Sequence, residues 1–102
     1  MRCNLVLVAI AALAGCSSPE SSIESDCKRL KLFKNLDGAD ADKACACLTD
    51  KLKAELPGEE LKDLAGRLKK ARTRNDVNAP NFFKTSEIAF ATVEAISACT
   101  PA

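Results

Sequence analysis

The chain has 102 residues, 15 of them basic and 14 acidic, with no His, Trp or Tyr and four Phe. Such a length supports one domain, and a near-neutral charge gives no global drive toward nucleic acid or anionic lipid. The lack of His removes the commonest general base and metal ligand, while six cysteines stand in a chain poor in large core side chains.

In chain order, the first segment is a leader. Arg2 precedes an unbroken apolar run of ten residues, Leu5 to Ala14. As a helix this run rises about 15 Å, half of a hydrocarbon core, so it is too short to span a bilayer. It has the flanks and length of a secretory signal over residues 1–15. The run ends in Leu13-Ala14-Gly15-Cys16, which resembles the lipobox of bacterial lipoproteins. That resemblance implies a diacylglycerol thioether on Cys16, cleavage before it, and N-acylation of the new terminus. More than one fatty chain on a single residue gives stable anchoring. Ser17 after the lipidated Cys implies delivery to the outer membrane, with the domain facing the periplasm. Cys3 is discarded with the leader. Loss of Arg2 brings the basic residues level with the 14 acidic ones, so the mature chain carries no net charge.

Residues 16–22, Cys16 followed by the polar SSPESS, read as a lipidated tether, and residues 23–100 as the folded domain. Ile23, Cys27, Leu30, Phe33 and Leu36 recur at helical spacing and predict a first helix from Ile23 to Leu36, capped by Ser22. Gly38 punctuates its end. The second helix is expected over Ala39 to Leu56, with a stripe of Ala41, Ala44, Cys45, Leu48, Leu52 and Leu56, and Pro57-Gly58 stops it. Glu59 and Glu60 then occupy the first turn of a third helix, where carboxylates suit the helix dipole. Its face is Leu61, Leu64, Ala65, Leu68 and Ala71. A turn region follows through Asn75-Asp76 and Asn78-Ala79-Pro80.

The last segment, Pro80 to Cys99, reads as one helix entered through Pro80, with a break near Thr85-Ser86 as the other reading. Its expected stripe is Phe82, Ser86, Ala89, Val93 and Ile96, widened by Phe83 and Phe90. Strand signals are absent. The fold class is all-α, a small bundle of three to four helices. The helical pattern with a central Cys-x-Cys and a late Cys, residues 27–99, resembles several small exported bacterial domains of no assigned activity.

With Cys16 assigned to lipid, Cys27, Cys45, Cys47 and Cys99 form an even set in an exported chain, the signature of two disulfides. On a helix, Cys45 and Cys47 point about 200° apart and cannot bond to each other. The pairing is therefore 27–45 with 47–99, or 27–47 with 45–99. Either ties the central helix to two different neighbours. The same divergence, with no His present, argues against a metal site or a redox pair, and no cofactor is expected.

Glu59, Glu60 and Asp63 read as dipole partners rather than a catalytic set. No serine has a recognisable base beside it, and Gly38, Gly58 and Gly66 are isolated, so no phosphate loop exists. The expectation is a protein that is not an enzyme. Residues 62–74 carry six basic side chains and one acid. Arg67, Lys70 and Arg74 share a helical face flanked by Lys69 and Arg72, and Phe82-Phe83 follow. Together these seven are the expected docking patch for an acidic partner protein or lipid head groups. The expected function is a lipid-anchored envelope module that binds another envelope or periplasmic protein, and not nucleic acid. An immunity lipoprotein against a periplasmic toxin or lytic enzyme is the narrower version. A ligand carrier or small enzyme is the alternative of a different class.

Overall fold

A computed structural model describes residues 18–101, so the leader, Cys3 and the expected lipidation site Cys16 lie outside the described residues. Five helices follow one another: α1 (Pro19–Arg29), α2 (Gly38–Glu55), α3 (Gly58–Lys70), α4 (Arg74–Val77) and α5 (Ser86–Cys99). Among the described residues there is no strand. The fold is all-α, as expected, and the short α4 adds a fifth helix within what was read as a turn region.

The first helix starts earlier and stops sooner than its periodicity suggested. The Ser18 hydroxyl accepts the Ser21 N–H at 3.1 Å, and Pro19 fills the first turn, where its missing N–H is not needed. Glu20 sits at the positive end of the dipole. Ser18 to Ser22, expected in the tether, therefore cap and open α1. At the other end Lys31 adopts a left-handed conformation (φ 54°). The Leu32 N–H reaches the Cys27 carbonyl at 3.1 Å and the Lys31 N–H reaches that of Lys28 at 3.2 Å. This is a Schellman ending with Lys in the place that Gly usually takes. Leu30, Leu32 and Phe33 are buried all the same. Their spacing recorded burial, but in a loop folded under the bundle.

The second helix keeps its expected stripe: Ala44, Cys45, Leu48, Leu52 and Leu56 are buried, with Ala41 half-buried. Gly38, expected as a breaker, opens it at φ +55°, a conformation that costs a side-chain-bearing residue about 1–2 kcal/mol. Thr49 lies buried in the same stripe and donates its hydroxyl to the Cys45 carbonyl at 2.8 Å.

Two disulfides resolve the pairing as Cys27–Cys45 and Cys47–Cys99, with Cα separations of 5.8 and 5.7 Å. They leave α2 on opposite sides, one to α1 and one to α5. Ion pairs Lys28–Asp42 at 3.4 Å and Lys53–Glu20 at 3.8 Å run α1 antiparallel along α2. The Arg29 guanidinium donates to the carbonyls of Ala71 (2.9 Å) and Leu68 (3.0 Å), so α1 and α3 end together and run parallel. Asp26 accepts the Arg29 Nε–H at 3.1 Å and holds the guanidinium in place. In space the order is α3, α1, α2, α5, with α2 touching α3 lightly. Ile23, Leu48, Leu52, Leu64, Leu68 and Ile88 are the large side chains sealed at the centre.

The last helix departs most from expectation. The chain from Pro80 to Thr85 is irregular, Asn81 is left-handed (φ 69°), and α5 begins only at Ser86. Its cap is Thr85, whose hydroxyl accepts the Ile88 N–H at 3.2 Å. The buried face is Ile88, Thr92, Ala95 and Cys99, leaving Phe90 and Val93 in solvent. The expected stripe ran through Ser86, Ala89 and Val93 and left out Ile88, so it was out of phase with the buried face. Ile88 is sealed, and the shorter Thr92 and Ala95 continue that face toward Cys99, which bonds to α2. The Thr92 hydroxyl, sealed inside, donates to the Ile88 carbonyl at 2.8 Å.

Candidate docking surface

The fold divides the seven expected docking residues into two groups. Arg67 donates through Nε to Asp63 at 2.7 Å and through Nη1 to the Phe82 carbonyl at 3.0 Å. It thereby fastens the irregular 80–85 segment to α3. Phe82 and Phe83 are half-buried against the core and meet edge to face, centroids 5.0 Å apart. These three side chains hold the fold together. Lys69, Lys70 and Arg72 are exposed, and Arg74 is half-exposed.

A further cation joins them from a distant part of the chain. Arg74 Nη1 lies 3.5 Å from the Lys31 carbonyl oxygen, which brings the exposed Lys31 to the end of α3. Linear reading of residues 62–74 had no means of finding it, since the approach depends on the Schellman ending of α1. Lys31, Lys69, Lys70, Arg72 and Arg74 make no ion pair among the described residues. The carboxylate nearest in sequence, Asp76, is committed to the backbone. It accepts the N–H groups of Arg72 at 2.7 Å and Thr73 at 3.1 Å. Those two hydrogen bonds, Arg72 first, hold its pKa below the ordinary Asp value, and the Arg72 charge adds to them.

Five basic residues that make no ion pair among the described residues, on two neighbouring chain segments, form a surface suited to carboxylates or phosphates. Arg72 and Arg74 supply planar donor forks, and the lysines supply mobile point charges. The surface sits where α1 and α3 end. The start of α1, which follows directly on the Cys16 region, lies at the opposite end, beside the last turn of α2 through Glu20–Lys53. The 11 residues of α1 separate the two ends by about 16 Å.

At that opposite end an open cleft of about 740 Å³ lies between the α2–α3 turn and α5, lined by residues that include Glu55, Leu56, Glu60, Glu87, Phe90 and Glu94. Among the described residues, no group of three or more His, Cys, Asp or Glu is placed to hold a metal ion, and no helix is long and apolar enough to cross a membrane. No protein-family model matches the chain, and no curated protein and no solved structure matches it.

Proposed function

We propose that the chain is a non-catalytic, lipid-anchored envelope protein whose helical domain binds an acidic partner protein through Lys31, Lys69, Lys70, Arg72 and Arg74. One observation carries the reading: these five basic residues make no ion pair among the described residues, and the contact of Arg74 with the Lys31 carbonyl joins their two chain segments at the end of α1 remote from the expected anchor. A lipid on Cys16 holds one end of the domain at the membrane and turns the cationic end toward the periplasm. The lipid supplies location, and the surface supplies attraction and orientation of the partner.

The test is recovery of crosslinked partners from envelopes of cells expressing the full chain. Lys69→Glu, Arg72→Glu and Arg74→Glu are combined in one variant, and Lys43→Glu, on the exposed flank of α2, is the control. The expected result is salt-sensitive partner recovery that the triple reversal abolishes and the control keeps. Equal recovery from both variants contradicts the docking role. Retention of the chain in the membrane fraction after Cys16→Ser contradicts the lipid anchor.

A further inference from the structure

Among the described residues, Phe90 and Val93 are the large apolar side chains that the fold leaves in water, at 65% and 61% exposure. Both belong to α5, which packs on α2 and is bonded to it through Cys99. Single exposed apolar residues are ordinary on a protein surface, but these two adjoin each other on one helix, and Phe90 lines the cleft at its edge. Glu87 and Glu94 stand three residues before and four after Phe90 and share its face. Glu55 and Glu60 close the cleft from the α2–α3 turn, with Leu56 on its floor.

The charge balance of this cleft is one-sided. Glu55, Glu60, Glu87 and Glu94 make no ion pair among the described residues, and no Lys or Arg lines the cleft. Lys51, Lys62 and Lys84 line adjoining recesses, Lys51 with Glu55 and Glu94 and the other two with Glu60, without forming an ion pair with them. Four carboxylates and an exposed aromatic ring therefore line the cleft without a partner in it. A ligand complements both only if it brings positive charge together with hydrocarbon. A guanidinium or ammonium over the Phe90 ring gains the ring's quadrupole as well as the surrounding carboxylates. Neutral apolar ligands leave the carboxylates unmatched, and anionic ones are repelled by them.

We infer that this cleft is a second docking site, taking a cationic segment of a partner protein in which Arg or Lys alternates with an aliphatic residue. The cation sits between Glu87, Glu94 and the Phe90 ring, while the aliphatic residue covers Val93. The site is separate from the cationic surface at the far end of α1 and does not depend on it. Its place beside the start of α1 puts it at the anchored end, so its partner segment is one that lies close to the membrane.

The experiment titrates the full chain with three synthetic dodecapeptides: alternating Arg-Leu, alternating Arg-Ser and alternating Glu-Leu. Binding is followed by backbone amide shifts in α5. Arg-Leu is expected to shift the amides of Glu87 to Glu94 in a salt-dependent manner, Arg-Ser to bind about tenfold more weakly, and Glu-Leu to leave them in place. Phe90→Ala, an exposed position that does not disturb folding, is expected to weaken Arg-Leu binding by about tenfold. The isosteric pair Glu87→Gln with Glu94→Gln is expected to do the same and to flatten the salt dependence. Binding that ignores both variants overturns the site. Equal binding of Glu-Leu overturns the charge argument. Self-association of the free chain that is lost with Phe90→Ala also overturns the proposal, since the occupant is then a second copy.

Discussion

Removal of the Cys47–Cys99 bond by Cys47→Ser with Cys99→Ser is expected to release α5 before the rest of the bundle. The bond joins residues 52 apart in sequence, and a loop of that length constrains the unfolded chain by about 4 kcal/mol on the chain-entropy model. Domains of this size have a total stability of roughly 4–13 kcal/mol, so the loss is a large fraction of the whole. It falls locally because α5 has its main packing partner in α2, through Ile88, Thr92 and Ala95, whereas α1 lies between α2 and α3. The other bond, Cys27–Cys45, spans 18 residues and is worth about 3 kcal/mol on the same model. Its loop does not overlap the first in sequence, so the two effects are close to independent. Guanidinium unfolding gives the total loss, and native-state amide exchange gives its location. A loss of about 3–4 kcal/mol is expected, with protection falling first at Ile88 to Cys99. The reasoning is refuted by a loss under about 1 kcal/mol, or by exchange that quickens equally in α1, α2 and α3.

Other outcomes follow from single side chains. Lys31→Gly removes the left-handed penalty at the end of α1 and is expected to raise stability by about 1 kcal/mol in thermal unfolding. Gly38→Ala, at φ +55°, should lower it by about the same amount. Arg29→Met keeps the side-chain stem but leaves the Leu68 and Ala71 carbonyls and the buried Asp26 without their donor, and should cost about 1–3 kcal/mol, with faster exchange in the last turn of α3. Asp76 has a depressed folded pKa, so its contribution is present above the unfolded Asp value and is lost as pH falls through the folded one. Asp76→Asn should therefore flatten the acid limb of the stability curve against pH, and an unchanged acid limb contradicts the assignment.

Much of the frame was legible because it follows from short-range geometry. Cys45 and Cys47 had to face apart on a helix, and Ala44, Cys45, Leu48 and Leu52 had to line one side of it. The choice between the two disulfide pairings was not legible, since both satisfy that constraint and the choice depends on how three helices pack. The end of α1 was hidden because Lys31 takes a conformation that Gly normally signals. The face of α5 was misread because the pattern was followed through Ser86, Ala89 and Val93, whereas the Cys47–Cys99 bond turns the stripe of Ile88, Thr92, Ala95 and Cys99 inward. Phe90 and Val93 therefore lie on the surface rather than in the expected core, and Phe90 lines the acidic cleft. Of the seven residues expected to dock a partner, Lys69, Lys70 and Arg72 are exposed and Arg74 half-exposed, while Arg67, Phe82 and Phe83 make contacts within the fold. Lys31 enters through a tertiary contact that no linear pattern encodes.

A photo-crosslinking residue placed at Lys70 in the full chain and irradiated in intact cells tests the cationic docking surface most directly. A discrete adduct with an envelope protein is expected. It should disappear with Lys69→Glu, Arg72→Glu and Arg74→Glu combined, and also with Cys16→Ser. No adduct at Lys70, or one that survives the charge reversal, contradicts a cationic docking surface. An adduct that survives Cys16→Ser contradicts presentation of that surface by a lipid anchor.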